Sequence, residues 1–399
     1  MAWAGWSRNK TETPGAVVGL DLNATRARAA YGPAGSGPPR GLPLDDPHPD
    51  LPLVISLEKR TPEVGRAGLG LIRRLPHVIV RDFLPALGQN RTWTAGRNHL
   101  DAAAAIALIA DRLKPAFAGQ HGLAAVIPAY LSMPQVARLT SALERARLPV
   151  LGTATLPIAV AATHTDPDAR FGTDLVVDID GYALTWTVLT EDGTHIRVVT
   201  TLTLPTLSER VWLDRVLSAV ADRCVRLCRR DPRDSAAAEQ ALYEQIDAIL
   251  DPKHLSHAVT FSVRTDHWFQ TVSVQPDEME GFCAALAKAT VDGMRQAIAQ
   301  AHTVVPATAP PTVVWVAPGV ARLPGVVSAL AANLPETSAV RVLQPDAIAY
   351  AAHGMACAWL RGDLPRGHLD ATAPILKSAT EPDVMPPASV TVSAGRTRT

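Results

Sequence analysis

The sequence predicts an α/β protein of two lobes, each opening on the same hairpin and continuing as alternating helices and strands. Three observations predict it. A β-branched run ends in an acid at Ala16–Asp21, and the same plan returns at Leu175–Asp178, an internal duplication. Helical and strand-like periodicities alternate after each copy. The chain has 399 residues, 47% of them hydrophobic, enough for two or three domains with a sizeable core.

Taken in order, Ala16–Asp21 reads as a strand, Leu22–Thr25 as its turn and the stretch through Tyr31 as a second strand. A helix is expected at about Leu100–Leu113, a strand at Leu123–Ile127, a helix at Gln135–Arg147 and a strand at Val150–Leu151. The second hairpin runs from Leu175 to Asp178, turns at Asp180 and Gly181, and returns to Leu189. Helical patterns at about Ser208–Arg229 and Ala236–Leu250 precede strand-like Ala258–Val263 and Trp268–Val274, then a long helix at about Asp277–Gln300. Strand Thr312–Ala317, helix Leu323–Asn333, strand Ala339–Leu343 and helix Pro345–Leu360 follow. The expected division is a flexible N-terminus over 1–15, lobe I over 16–173 with an inserted subdomain at about 41–120, and lobe II over 174–362 with one at about 230–300. The tail over 363–399 is expected to be disordered, because Pro365, Pro374, Pro382, Pro386 and Pro387 stand among many Ser, Thr and Ala residues.

Composition excludes several function classes. Thirty-eight basic residues balance thirty-eight acidic ones, so no net field favours nucleic acid or anionic lipid, and neither is an expected partner. Prolines interrupt both long uncharged stretches, Leu148–Thr165 and Ala297–Ala321, which argues against a membrane span. The four cysteines and the lack of an apolar segment within Met1–Lys10 lead to the expectation of a reduced, cytoplasmic protein. Cys224-x-x-x-Cys228 and His254-x-x-His257 lack further ligands at zinc spacing and read as packing residues. No Gly-x-x-x-x-Gly-Lys loop and no Gly-x-Ser-x-Gly elbow is present.

Several segments carry a more specific signal. Val18-Gly-Leu-Asp-Leu-Asn-Ala-Thr25 resembles the opening phosphate loop of the DnaK-type heat-shock chaperones, Gly-Ile-Asp-Leu-Gly-Thr-Thr. Ile127-Pro-Ala-Tyr-Leu-Ser-Met-Pro-Gln135 is similar to that family's Val-Pro-Ala-Tyr-Phe-Asn-Asp-Ser-Gln, and Arg147-Leu-Pro-Val-Leu151 to its Gly-Leu-Asn-Val-Leu. Asp174–Leu189 resembles the second phosphate hairpin, Val314–Pro324 the adenosine loop and Gln344–Gly354 the closing helix. The matches keep the family's order across about Ala16–Leu360, and the Pro-Ala-Tyr segment separates this branch from sugar kinases and actins.

The resemblance implies a two-lobed actin-like ATPase fold with duplicated, ribonuclease H-like mixed-sheet subdomains flanked by helices. It implies ATP or ADP with Mg²⁺ in the cleft, Asp21 and Asp178 as the catalytic acids holding the metal through water, and Asn23, Ala24, Thr25, Asp180, Gly181 and Tyr182 around the phosphates. Gly319, Arg322 and Asp346 fall on the adenosine side. The alternative for the two acids is that they only bond turn amides; for Asp346, that it is an N-cap; for Tyr243, that it packs rather than stacks on a purine. The turns depart from the family pattern. Asp180-Gly-Tyr-Ala183 stands where Gly-Gly-Gly-Thr is expected, so unless a metal bridges them a carboxylate at Asp180 opposes a triphosphate by ~4 kcal/mol per charge pair at about 4 Å and an effective dielectric near 20. Leu156 replaces the family's glutamate, and Arg81 is the cation nearest the place of its lysine. Because a Pro-rich tail follows Leu360, no peptide-binding domain is expected there. The leading expectation is therefore a DnaK-like protein that binds ATP weakly and hydrolyses it slowly or not at all. The rivals are a pseudoenzyme scaffold for a protein partner and a small-molecule kinase of the same superfamily.

Overall fold

The run from Ala16 holds a strand because both of its faces are covered: Val17, Val18 and Leu20 are all without solvent exposure. A computed structural model describes residues 15–376 apart from Ser36, 165–171, 192–193, 251–255, Asp266 and Ala307. In it, β1 (Ala16–Leu22) pairs antiparallel with β2 (Arg26–Pro33), which pairs with β3 (Arg40–Leu42); on the other side β4 (Gly122–Ile127) and β5 (Val150–Thr155) add in parallel. The second sheet repeats this arrangement. Strands β6 (Thr173–Ile179), β7 (Leu184–Glu191) and β8 (His195–Leu204) form the antiparallel part. After the separate hairpin of β9 (Val259–Arg264) and β10 (Phe269–Val274), strands β11 (Pro311–Val316) and β12 (Ala339–Val342) complete the sheet in parallel. The hairpin duplication legible in the sequence is thus part of a duplicated mixed sheet, with matching order and matching strand directions.

Helices α1 (Ala102–Leu113), α2 (Met133–Arg145), α4 (Glu209–Cys228), α5 (Ala236–Ile249), α6 (Pro276–Val304) and α7 (Val326–Asn333) lie close to their expected positions. Local chemistry sets several starts: Asp101 accepts from the Ala104 amide, and Ser132 with Gln135 forms a capping box. Helix α3 (Leu156–His164) was not expected. Its residues from Leu156 to Ala162 are nearly all apolar and buried, so it presents no amphipathic stripe to read. It packs against α8 (Ala347–Arg361), the closing helix, which crosses β1 and β4 of the first sheet. Gly19 makes that crossing possible: a Cβ there would lie 2.1 Å from the His353 backbone nitrogen. Apolar residues of α3, α8 and both sheets, including Val126, Ile158, Val176, Trp315 and Met355, form one continuous core between the lobes.

The expectation of disorder from 363 onward is corrected as far as Leu376. Strand β13 (Gly367–Leu369) extends the first sheet beside β5, and β14 (Thr372–Pro374) extends the second beside β8. This strap is anchored by buried Leu364, Leu369 and Ala373, and the Trp359 indole donates to the Pro365 carbonyl at 2.8 Å. The proline-rich composition misled because prolines are tolerated on sheet edges, where ladder hydrogen bonds run on one side only. Residues 377–399, and 1–14 of the expected flexible N-terminus, lie outside the described residues. Among the described residues no helix is long and apolar enough to cross a membrane.

Candidate functional site

Both duplicated hairpins turn at the same end of their sheets, and the two turns meet. The first turn is shaped by Asn23, whose Oδ1 accepts from the amides of Thr25 (2.9 Å) and Arg26 (3.0 Å). That leaves the Ala24 amide pointing across to the other lobe, where it donates to Asp180 Oδ2 at 2.9 Å. The other Asp180 oxygen accepts from the Tyr182 (2.9 Å) and Ala183 (3.0 Å) amides of its own turn. Tyr130, the tyrosine of the Pro-Ala-Tyr segment, adds its hydroxyl to Asp180 Oδ2 at 2.6 Å, and its ring packs on Tyr182 with centroids 5.0 Å apart. Asp180 is 1% exposed and has four donors, a set of backbone and hydroxyl groups of the kind that holds a bound anion.

A second bridge runs beside the first. Thr25 Oγ1 accepts from the Gly181 amide at 2.7 Å and donates to Glu209 Oε2 at 2.9 Å. Glu209, buried at the start of α4, also accepts from Arg322 Nη1 at 3.1 Å, and its amide donates to the Asp180 carbonyl at 2.9 Å. The two turns are therefore in direct contact, latched by two hydrogen bonds between them and by two further interlobe bonds through Tyr130 and Glu209.

Asp21 and Asp178 lie behind this latch, both buried, at 1% and 7% exposure. Burial raises the Asp21 pKa to about 6 against the pull of Arg26, 3.7 Å away, and of Arg28. Burial raises Asp178 well above the ordinary carboxylate range, with Asp180 and Asp21 adding like charge. Asp21 Oδ2 has no hydrogen-bond partner. Asp21 adds like charge to Asp178, and among the described residues no group of three or more His, Cys, Asp or Glu side chains is placed to hold a cation directly. Asp180, whose charge acts on both, is committed to three amides and the Tyr130 hydroxyl.

The adenosine-side residues are dispersed into other work. Arg322 pairs with Glu209 and with Asp247 Oδ1 at 2.8 Å, so its guanidinium is engaged rather than open for stacking. Gly319 lies against the end of β6, where a Cβ would come within 3.0 Å of the Ile179 carbonyl oxygen. Asp346 precedes α8 without capping it and pairs with Arg28 Nη1 at 3.3 Å. Tyr243 is buried, with the Arg73 guanidinium 4.8 Å above its ring. Leu156 is buried at the start of α3. Cys228 donates weakly to the Cys224 carbonyl on its own helix, in keeping with packing.

Sequence reasoning missed Glu209, which had no motif around it, and did not count Tyr130 as a site residue although it lies in the most specific segment. No family model matches the chain, and no curated protein matches it at a significant level.

Proposed function

We propose that the chain is an actin-like, DnaK-like pseudo-ATPase whose phosphate position is occupied by its own Asp180 carboxylate. One observation carries this reading: four donors drawn from both lobes converge on that carboxylate. An incoming phosphate would have to displace Asp180 from these bonds, each worth ~1.5–3 kcal/mol net when one partner is charged. It would then face the displaced charge at close range. Leu156 supplies no acid to orient a water. The duplicated sheet order and the closing helix across the first lobe support the two-lobed, ribonuclease H-like architecture that the sequence segments imply. On this reading the lobes serve as a scaffold of fixed geometry, with nucleotide binding weak or absent.

Calorimetry with ATP and ADP, with and without Mg²⁺, tests it. The wild type should give no binding heat at ordinary concentrations, and the double variant Asp180→Gly, Tyr182→Gly should bind Mg·ATP at least tenfold more tightly, a change of ~1.4 kcal/mol. Wild-type turnover abolished by Asp178→Ala would overturn the reading.

A further inference from the structure

Above the latch, between the inserted parts of the two lobes, lies a cavity of about 140 Å³ bounded by Thr25, Gly181 and Glu209 at its floor. Its walls are mixed. Leu53, Val54, Leu69, Ile72 and Leu213 line it alongside the charged groups Arg26, Arg66, Arg81, Arg210, Asp50, Asp82, Glu209 and Asp247. Almost every charge in it has a partner. Arg26 meets Asp50 at 3.2 Å, Arg66 meets Asp45 at 3.6 Å and Arg210 meets Asp82 at 2.5 Å. Glu209 and Asp247 share Arg322.

Arg81 is the exception. Among the described residues its guanidinium makes neither an ion pair nor a hydrogen bond, although it is half-buried in the cavity wall. Burial and the neighbouring Arg210 both work against its charge, with Asp82 giving partial relief. A guanidinium presents five donors in a planar fork that matches a carboxylate. Leaving it unpaired and partly desolvated is unfavourable, and an anion of the right size would remove that penalty.

We propose that this cavity binds a compact organic monocarboxylate, its carboxylate on Arg81 and its apolar body against Leu69, Ile72 and Leu213. The volume is well above the ~10–15 Å³ that a single water needs. The lining carboxylates Asp50, Asp82, Glu209 and Asp247 disfavour polyanions such as nucleoside triphosphates, and one unpaired cation matches one negative charge. The apolar wall favours a hydrocarbon body over inorganic phosphate. This site adjoins the Asp180 cradle, sharing Ala24, Thr25, Gly181 and Glu209 with the latch, but Asp180 itself does not line it, so the inference stands whether or not the cradle admits nucleotide.

The test is calorimetric titration of the full chain with acetate, benzoate, inorganic phosphate and ATP as probes. Benzoate should bind, more tightly than acetate or phosphate, and at least tenfold more weakly to Arg81→Gln. Leu213→Phe, which fills the cavity without changing its charge, should also lose benzoate. Thermal melts without probe establish that each variant is folded; if Arg81→Gln is not, Arg81→Lys and Leu213→Phe decide the matter. Absence of benzoate binding to the wild type, unchanged binding to both folded variants, or tighter binding of phosphate would overturn the proposal. ATP binding that leaves benzoate affinity unchanged would count against the self-occupied cradle and leave the carboxylate site standing.

Discussion

The latch between the hairpin turns and the strap of residues 363–376 both tie one lobe to the other, but by different chemistry. The latch is made by side chains: Asp180 takes the Ala24 amide and Thr25 takes the Gly181 amide. The strap is made by backbone, with Gly367, His368 and Leu369 in register with Gly152, Thr153 and Ala154, then Thr372, Ala373 and Pro374 with Arg197, Ile196 and His195. A ladder is insensitive to which side chains stand on it, except where they are buried. A carboxylate cradle depends on one residue and its charge. The strap should therefore carry the larger share of stability, and the latch the dependence on sequence and pH.

Removing the strap is the strongest way to break this comparison. A chain ending at Gly362 loses two sheet edges and the burial of Leu364 and Leu369, each worth ~1.5–3 kcal/mol. At ~2–4 °C per kcal/mol, its melting temperature should fall by roughly 10 °C relative to a chain ending at Leu376. Equal melting temperatures for the two would show that the strap contributes nothing.

The charges behind the latch come next. Burial raises the pKa of Asp21 to about 6, above its ordinary value of 3.8, so the folded state holds its proton over a range where the unfolded state has lost it. Stability from this group is therefore full below about pH 4, is lost as pH rises to about 6 and is level above that, a total of ~3 kcal/mol. Asp178, Asp180 and Glu209 are shifted in the same direction by burial. Asp50 opposes them, since Arg26 and Arg28 outweigh its burial and lower its pKa. Denaturant melts across this range should show wild-type stability falling with pH, and Asp21→Asn should flatten the slope and be the more stable protein at pH 7. A slope unchanged by the substitution would mean Asp21 is not the buried acid that matters.

The smallest effect sharpens the comparison within the latch itself. Thr25→Val keeps the shape but leaves the Gly181 amide without its acceptor and Glu209 without one donor, at a cost of ~1–2 kcal/mol. A neutral outcome in denaturant melts would place the whole interlobe contribution of the turns on Asp180.

The hairpins were legible because their signals are local. Each has an apolar run, an acid and a turn within about a dozen residues, and the helices from α4 to α6 announced themselves by period and cap. Glu209 was hidden because its partners Thr25 and Arg322 are far away in the chain. Helix α3 was hidden because a segment buried on every side has no polar face to mark its period. The strap was hidden because strand pairing between Leu369 and Ala154 leaves no pattern in either segment alone.

What the sequence by itself determined is the duplicated hairpin, the alternation that surrounds it, and the placing of Asp21, Asp178 and Asp180 at corresponding turns, all consequences of short-range periodicity and turn chemistry. Through the family resemblance it also gave the expectation that Asp180 would oppose phosphate. Only the tertiary structure decided that this carboxylate turns inward to accept from Ala24, Tyr130, Tyr182 and Ala183. The direction of a side chain at a turn is set by which unpaired donors the opposite lobe brings to it, and those donors come from residues as many as 156 positions away.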